Sequence, residues 1–159
     1  MEQPAGNKIT GNPSSHPALS VKWVEDFPDI PLNRNEAYKL RVTSKGVEIE
    51  AITETGVYRA IQTLRQLTEK KGNGIAITGC EITDWPAFRI RGFMQDVGRT
   101  YISTDELKRE IAILARYKIN VFHWHLTENQ AWRLQSKVFP MLNDSVNTTR
   151  QPVSYTHLR

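Results

Sequence analysis

Two strand-like runs joined by one capped amphipathic helix, all between Arg91 and Leu126, constrain the fold more than any other feature of the chain. Arg91 to Val97 has the apolar, β-prone character of a strand, and so does Asn120 to Leu126. Between them, Ser103 and Glu106 stand at the spacing of a capping box, and Leu107, Ile111 and Leu114 line one face of a helix running to about Tyr117. Burying those three side chains is worth about 1.5 to 3 kcal/mol each, so the helix needs a sheet to cover. The connection from helix to second strand is too short for anything except a return beside the first strand. A right-handed βαβ unit with parallel strands is therefore expected.

The preceding residues read differently. Leu19 to Val24 fits a short strand, while Tyr38 to Val42 and Val47 to Ala51 alternate as the arms of a hairpin turning at Ser44, Lys45 and Gly46. From Thr55, the side chains of Val57, Ala60, Ile61, Leu64 and Leu67 recur at helical spacing. Gly72 is the expected left-handed stop, with Lys70 and Lys71 on the negative end of the helix dipole. Ile75 and Ile77 then suggest a returning strand. Residues 19–83 are thus expected to form a small α+β domain of one antiparallel sheet and a helix. The junction falls in Thr83 to Phe88, where Asp84, Trp85 and Pro86 interrupt the periodicity. Residues 1–18, rich in Gly, Pro, Asn and Ser, read as a disordered leader without the apolar core of a secretory signal, so either the protein stays inside the cell or its true start is missing.

Composition narrows the function classes. A formal charge of +4 is spread among interleaved acids, and no nucleic-acid recognition motif is present. No run approaches the roughly 20 apolar residues of a membrane span. The single cysteine, Cys80, excludes an intramolecular disulfide and a cysteine-based zinc cluster, and among Ile75, Ile77 and Ile82 it reads as a buried structural thiol.

Chemistry concentrates at two strand ends. The first run carries Arg91, Asp96 and Arg99; the second carries His123, Trp124, His125, Thr127, Glu128, Asn129 and Gln130. In parallel barrels, functional side chains gather at the C-terminal ends of strands. His123 and His125, two residues apart, share one strand face, so they fit either a metal pair or a hydrogen-bonded floor. Arg91 fits either a bidentate donor to vicinal oxygens or a structural ion-pair partner of Asp96 or of another strand's carboxylate. Trp85, Trp124 and Trp132 fit either ring-stacking platforms or core.

The stretches DWPAFRIRGFMQDVGR and KINVFHWHLTENQAWR resemble glycoside hydrolase family 20, the β-N-acetylhexosaminidases, and GVYRAIQTLRQL is similar to the small domain that precedes their barrel. The resemblance implies that residues 84–152 open a (β/α)8 barrel. It implies a glycan ending in N-acetylhexosamine as partner, no cofactor, and histidines that are not metal ligands; it says nothing of oligomeric state and suggests a periplasmic or secreted parent. Arg91 matches the arginine that grips sugar hydroxyls. Asp96, His123, His125 and Glu128 match a polar network near the catalytic acid, with Glu128 in place of a common aspartate and Asn129 in place of a carboxylate.

Such enzymes cleave by substrate-assisted retention, in which an adjacent Asp-Glu pair on the fourth barrel strand orients the acetamido group and protonates the leaving oxygen. The one Asp-Glu neighbour pair here, Asp105 and Glu106, falls in the first turn of a predicted helix, so no catalytic residue is assigned to this chain. A barrel takes about 250 residues and fewer than roughly 75 follow Pro86, so a truncated barrel is expected. Residues 153–159, VSYTHLR, read as a non-native tail. A non-catalytic carbohydrate-binding protein and a metal-dependent barrel hydrolase are the competing expectations.

Overall fold

A computed structural model of the chain describes residues 8–9 and 18–144. The expectations for the leader and for the 153–159 tail fall mostly outside those residues. The chain divides into two compact units, Met1–Arg89 and Ile90–Arg159.

The first unit contains β1 (Lys8–Ile9), β2 (Ala18–Trp23), a short 3-10 turn (Arg34–Glu36), β3 (Tyr38–Thr43), β4 (Gly46–Ala51), α1 (Glu54–Leu67), β5 (Thr68–Lys71), β6 (Gly74–Thr78) and β7 (Cys80–Asp84). The hairpin forms as expected, with Leu40 opposite Ile49 and Val42 opposite Val47. Its inward side chains, together with Tyr38, are buried against Ala60 of α1, and Val57, Ile61 and Leu64 pack around them. Tyr38 combines both roles of a buried tyrosine: its ring fills the core while its hydroxyl donates to Asp84 Oδ2 at 2.9 Å. Cys80 and Ile82 join the same core, and burial raises the Cys80 thiol pKa.

Two expectations need correction here. The main sheet, ordered β2-β4-β3-β7, is mixed rather than antiparallel, because β2 runs parallel to β4 with Val21 opposite Ile49. The connection after β2 is tied to the end of β4 by the Val24 N–H to the Ala51 carbonyl, then folds around buried Phe27 and Ile30 before entering β3. It thereby passes the end of β4, which leaves β2 on the hairpin's second arm. The second correction concerns α1, which stops at Leu67. Thr68 is already extended, and Gly72, at φ +57°, turns a hairpin between β5 and β6 instead of capping the helix. A left-handed glycine serves both purposes, and Gly72-Asn73 between two strand-forming runs is also a hairpin signal. Lys70 and Lys71 therefore lie on a strand, and Ile75 and Ile77 belong to a separate sheet ordered β1-β6-β5. The strand that returns to the main sheet is β7.

The second unit contains β8 (Gly92–Asp96), α2 (Thr104–Arg116), β9 (Val121–His125), β10 (Thr127–Glu128), β11 (Ala131–Trp132) and a 3-10 turn (Pro140–Asn143). Strands β8 and β9 are parallel, in register from Gly92 opposite Val121 to Asp96 opposite His125. The capping box is complete: Ser103 Oγ accepts from the Glu106 N–H, and Glu106 accepts from the Ser103 N–H and hydroxyl. Of the three apolar residues expected to face the sheet, Leu107 is buried with Val97, Leu114 is half-buried, and Ile111 is 46% exposed. Two strands are too narrow to cover three helical turns. No helix among the described residues is long and apolar enough to cross a membrane.

The cap carries a prediction. Ser103→Ala should cost about 1 kcal/mol of stability, read by urea unfolding of this chain. The Ser103 hydroxyl holds the Glu106 carboxyl below its usual range. With the folded pKa below the unfolded one, this stabilisation is present above the unfolded pKa and is lost as pH falls through the folded pKa. The penalty of Ser103→Ala should therefore shrink in acid.

Candidate active site wall

The parallel pairing of β8 and β9 aligns their C-terminal ends, so Asp96 and His125 stand opposite each other as the last residues of neighbouring strands. The Val97 N–H donates to the His125 carbonyl at 3.0 Å and locks the two ends together. Beyond β9, a tight hairpin pairs Thr127 with Trp132 and Glu128 with Ala131, which folds Glu128 back over the strand ends. One carboxylate oxygen from each acid and an imidazole nitrogen of His125 fall within 4.8 Å of one another.

Arg99 closes the cluster. Its Nη2 lies 3.1 Å from Glu128 Oε2 and its Nε lies 3.5 Å from Asp96 Oδ2, while its backbone N–H donates to Asp96 Oδ1 at 3.1 Å. The guanidinium remains well exposed beside the two carboxylates. Glu128 is held below the usual carboxylate range, first by the Asn129 N–H on its Oε1 at 3.0 Å and then by the charges of Arg99 and His125. It is an anion at neutral pH, suited to anchoring a cation and not to donating a proton. His125 Nε2, 3.7 Å from Glu128 Oε2, has no hydrogen-bond partner among the described residues.

Of the residues singled out from the sequence, Asp96, His125 and Glu128 come together. His123 lies below them, its ring centre 6.1 Å from that of His125. Arg91 does not join them. It precedes β8, about 16 Å of strand away from Asp96 at roughly 3.3 Å per residue. There its Nε donates to the Lys118 carbonyl at 2.8 Å, and its N–H donates to Asn120 Oδ1. Lys118 is left-handed, at φ +61°, where the chain leaves α2, and Arg91 braces that turn. Arg91 thus braces the N-terminal strand ends, away from the cluster where the sugar-gripping arginine was expected, and the arginine that meets Asp96 and Glu128 is Arg99. Strand polarity was the available signal, since Arg99 follows the strand whereas Arg91 precedes it.

The tryptophans divide. Trp85 packs with the Phe27 and Ile30 cluster and Trp124 with Val97 and Leu107, so both are core. Trp132 lines an open concavity of about 470 Å³ shared with Thr127, Glu128, Asn129, Ala131 and Leu142. Asp96, His125 and Glu128 could ligate a metal by distance, but the guanidinium of Arg99 lies against both carboxylates. A divalent cation there would meet a fixed positive charge a few ångströms away.

Comparison with known families defines the class. Residues 4–85 match domain 2 of glycosyl hydrolase family 20, and residues 88–157 match that family's catalytic domain. The chain belongs to glycosyl hydrolase family 20. Among its relatives, the β-hexosaminidase of Porphyromonas gingivalis is 42% identical over 156 residues, covering 94% of this chain and 18% of that protein. The β-N-acetylhexosaminidase of Cellulomonas fimi is 39% identical over 126 residues, covering 79% of this chain and 25% of that protein. Among solved structures, the family 20 exo-β-N-acetylglucosaminidase of Vibrio harveyi in complex with N-acetylglucosamine superposes with a TM-score of 0.71 at 36% identity, covering 88% of this chain and 22% of that one. The chain spans about a fifth to a quarter of the length of these relatives.

Proposed function

We propose that the protein carrying this chain is an exo-acting β-N-acetylhexosaminidase that removes terminal N-acetylhexosamine from glycans by substrate-assisted retention. This chain contributes the small domain, over about residues 19–83, and the opening of the catalytic barrel, over about residues 84–152. The observation that carries the reading is the cluster of Arg99, Asp96, Glu128 and His125 at two adjacent C-terminal strand ends, in a chain that matches the family across both domains.

In that role Arg99 offers paired N–H donors to vicinal sugar hydroxyls, and Asp96 and Glu128 hold the guanidinium in place from one side. Glu128, ionised at neutral pH, serves as an anchor. Proton transfer to the leaving oxygen and orientation of the acetamido group fall to an Asp-Glu pair beyond these residues. With the acetamido oxygen as internal nucleophile, the first sugar released keeps its anomeric configuration. Proton NMR of the full-length protein acting on an aryl N-acetyl-β-glucosaminide should therefore show the β-anomer first. Initial release of the α-anomer would overturn the mechanism, and no release would overturn the function.

A further inference from the structure

From the contacts beneath the site we infer that Arg133 is a positioning residue, which sets the distance between the β8 turn bearing Asp96 and Arg99 and the hairpin bearing Glu128. The inference rests on the hexosaminidase reading above.

Arg133 is 1% exposed, rare for arginine, and lies one residue beyond β11. Its Nε donates to the Val97 carbonyl at 2.8 Å and its Nη2 lies 3.4 Å from the Gly98 carbonyl, so it holds both peptides of the turn between Asp96 and Arg99. Its own N–H donates to the Leu126 carbonyl at 2.9 Å, which ties the same residue to the end of β9. The guanidinium carbon sits 5.8 Å from the centre of the Tyr101 ring, within cation–π range. A buried cation bonded to main-chain carbonyls is costly to desolvate, and its rigid fork fixes the direction of those peptides more tightly than an ammonium would.

The opposite side of the turn is fitted just as closely. A Cβ added to Gly98 would lie 2.8 Å from the Glu128 Cβ and 3.3 Å from Asp96 Oδ1. The turn is thus held between Arg133 on one side and Glu128 on the other, and the absence of a side chain at position 98 sets the closeness of that approach. Arg99, the next residue, inherits its position from both contacts. Displacements well under 1 Å at such a site alter ligand binding measurably.

The test uses the full-length protein and an aryl N-acetyl-β-glucosaminide. Arg133→Met keeps the apolar stem and removes the donors, and KM should rise on the order of tenfold or more per folded active site, with Arg133→Lys recovering part of the loss. A merely structural role would lower the melting temperature and the yield while leaving KM unchanged, and that outcome overturns the inference. Gly98→Ala, which retains Arg133 but forces the turn away from Glu128, should raise KM in the same way. If Arg133→Met does not fold, an unchanged KM in Gly98→Ala overturns the inference and a raised one supports it. An inactive unsubstituted protein is a separate result: it overturns the hexosaminidase reading and this inference with it.

Discussion

Arg99→Ala in the full-length protein is expected to lower kcat/KM on an aryl N-acetyl-β-glucosaminide by about 10- to 150-fold, the equivalent of a charged hydrogen-bond donor worth about 1.5 to 3 kcal/mol. Arg91→Ala should leave KM close to its original value and lower thermal stability instead, because its guanidinium holds the Lys118 carbonyl at the other end of the strands. The pair of variants separates the two arginines directly. A KM that rises for Arg91→Ala and not for Arg99→Ala would reverse their roles. Acid should weaken the Arg99 site as well. The Glu128 carboxyl is held below its usual range in the folded protein, so its anchoring charge is present at neutral pH and is lost as pH falls through that lowered value. Glu128→Gln should remove this component from the acid limb of the KM profile.

The largest stability effect is expected at Ile49. It is fully buried on β4, opposite Leu40 of β3 and Val21 of β2, in the core that α1 covers. Ile49→Ala should cost about 2 to 5 kcal/mol, from lost transfer free energy and the cavity left behind. Ile111→Ala, at a position 46% exposed in this chain, should stay within about 0.5 kcal/mol, apart from a small gain in helix propensity. Urea unfolding of the two variants beside the unsubstituted chain measures both. Similar penalties would mean that the Leu107, Ile111 and Leu114 face of α2 is covered after all.

The contrast between Ile49 and Ile111 shows how far the sequence carries. Periodicity identifies both as core-facing, because it reports which face is apolar and not whether a partner covers it. The β3–β4 hairpin, the α2 capping box and the β8–α2–β9 unit were legible because short-range chemistry decides them: a turn between alternating runs, Ser103 three residues before Glu106, and a connection too short to go elsewhere. The mixed character of the main sheet was not legible. It depends on where a connection folded around Phe27 and Ile30 sets down its strand, a non-local outcome. Gly72 fits a helix stop equally well in sequence, because left-handed glycine serves helix ends and hairpins alike.

At the site, the resemblance singled out Arg91, which stands at the N-terminal end of β8, whereas the arginine that meets Asp96 and Glu128 is Arg99. Asp96 and His125 meet as the parallel register requires, since equal positions on two in-register strands share an end, and the hairpin after β9 brings Glu128 to them. Arg91 and Arg99 occupy opposite ends of β8, and strand direction alone tells which of them shares an end with Asp96. Arg133 has no signature in the sequence because its buried environment arises from two segments 35 residues apart, the Gly98 turn and the β11 end. No local pattern reports that meeting.

The most direct measurement is the rate at which the full-length protein releases nitrophenol from 4-nitrophenyl N-acetyl-β-D-glucosaminide, compared with the matching β-D-glucoside that lacks the acetamido group. Substrate-assisted hydrolysis predicts turnover of the first and none above background of the second, because the internal nucleophile is missing. Comparable turnover of both, or of neither, would contradict the assignment.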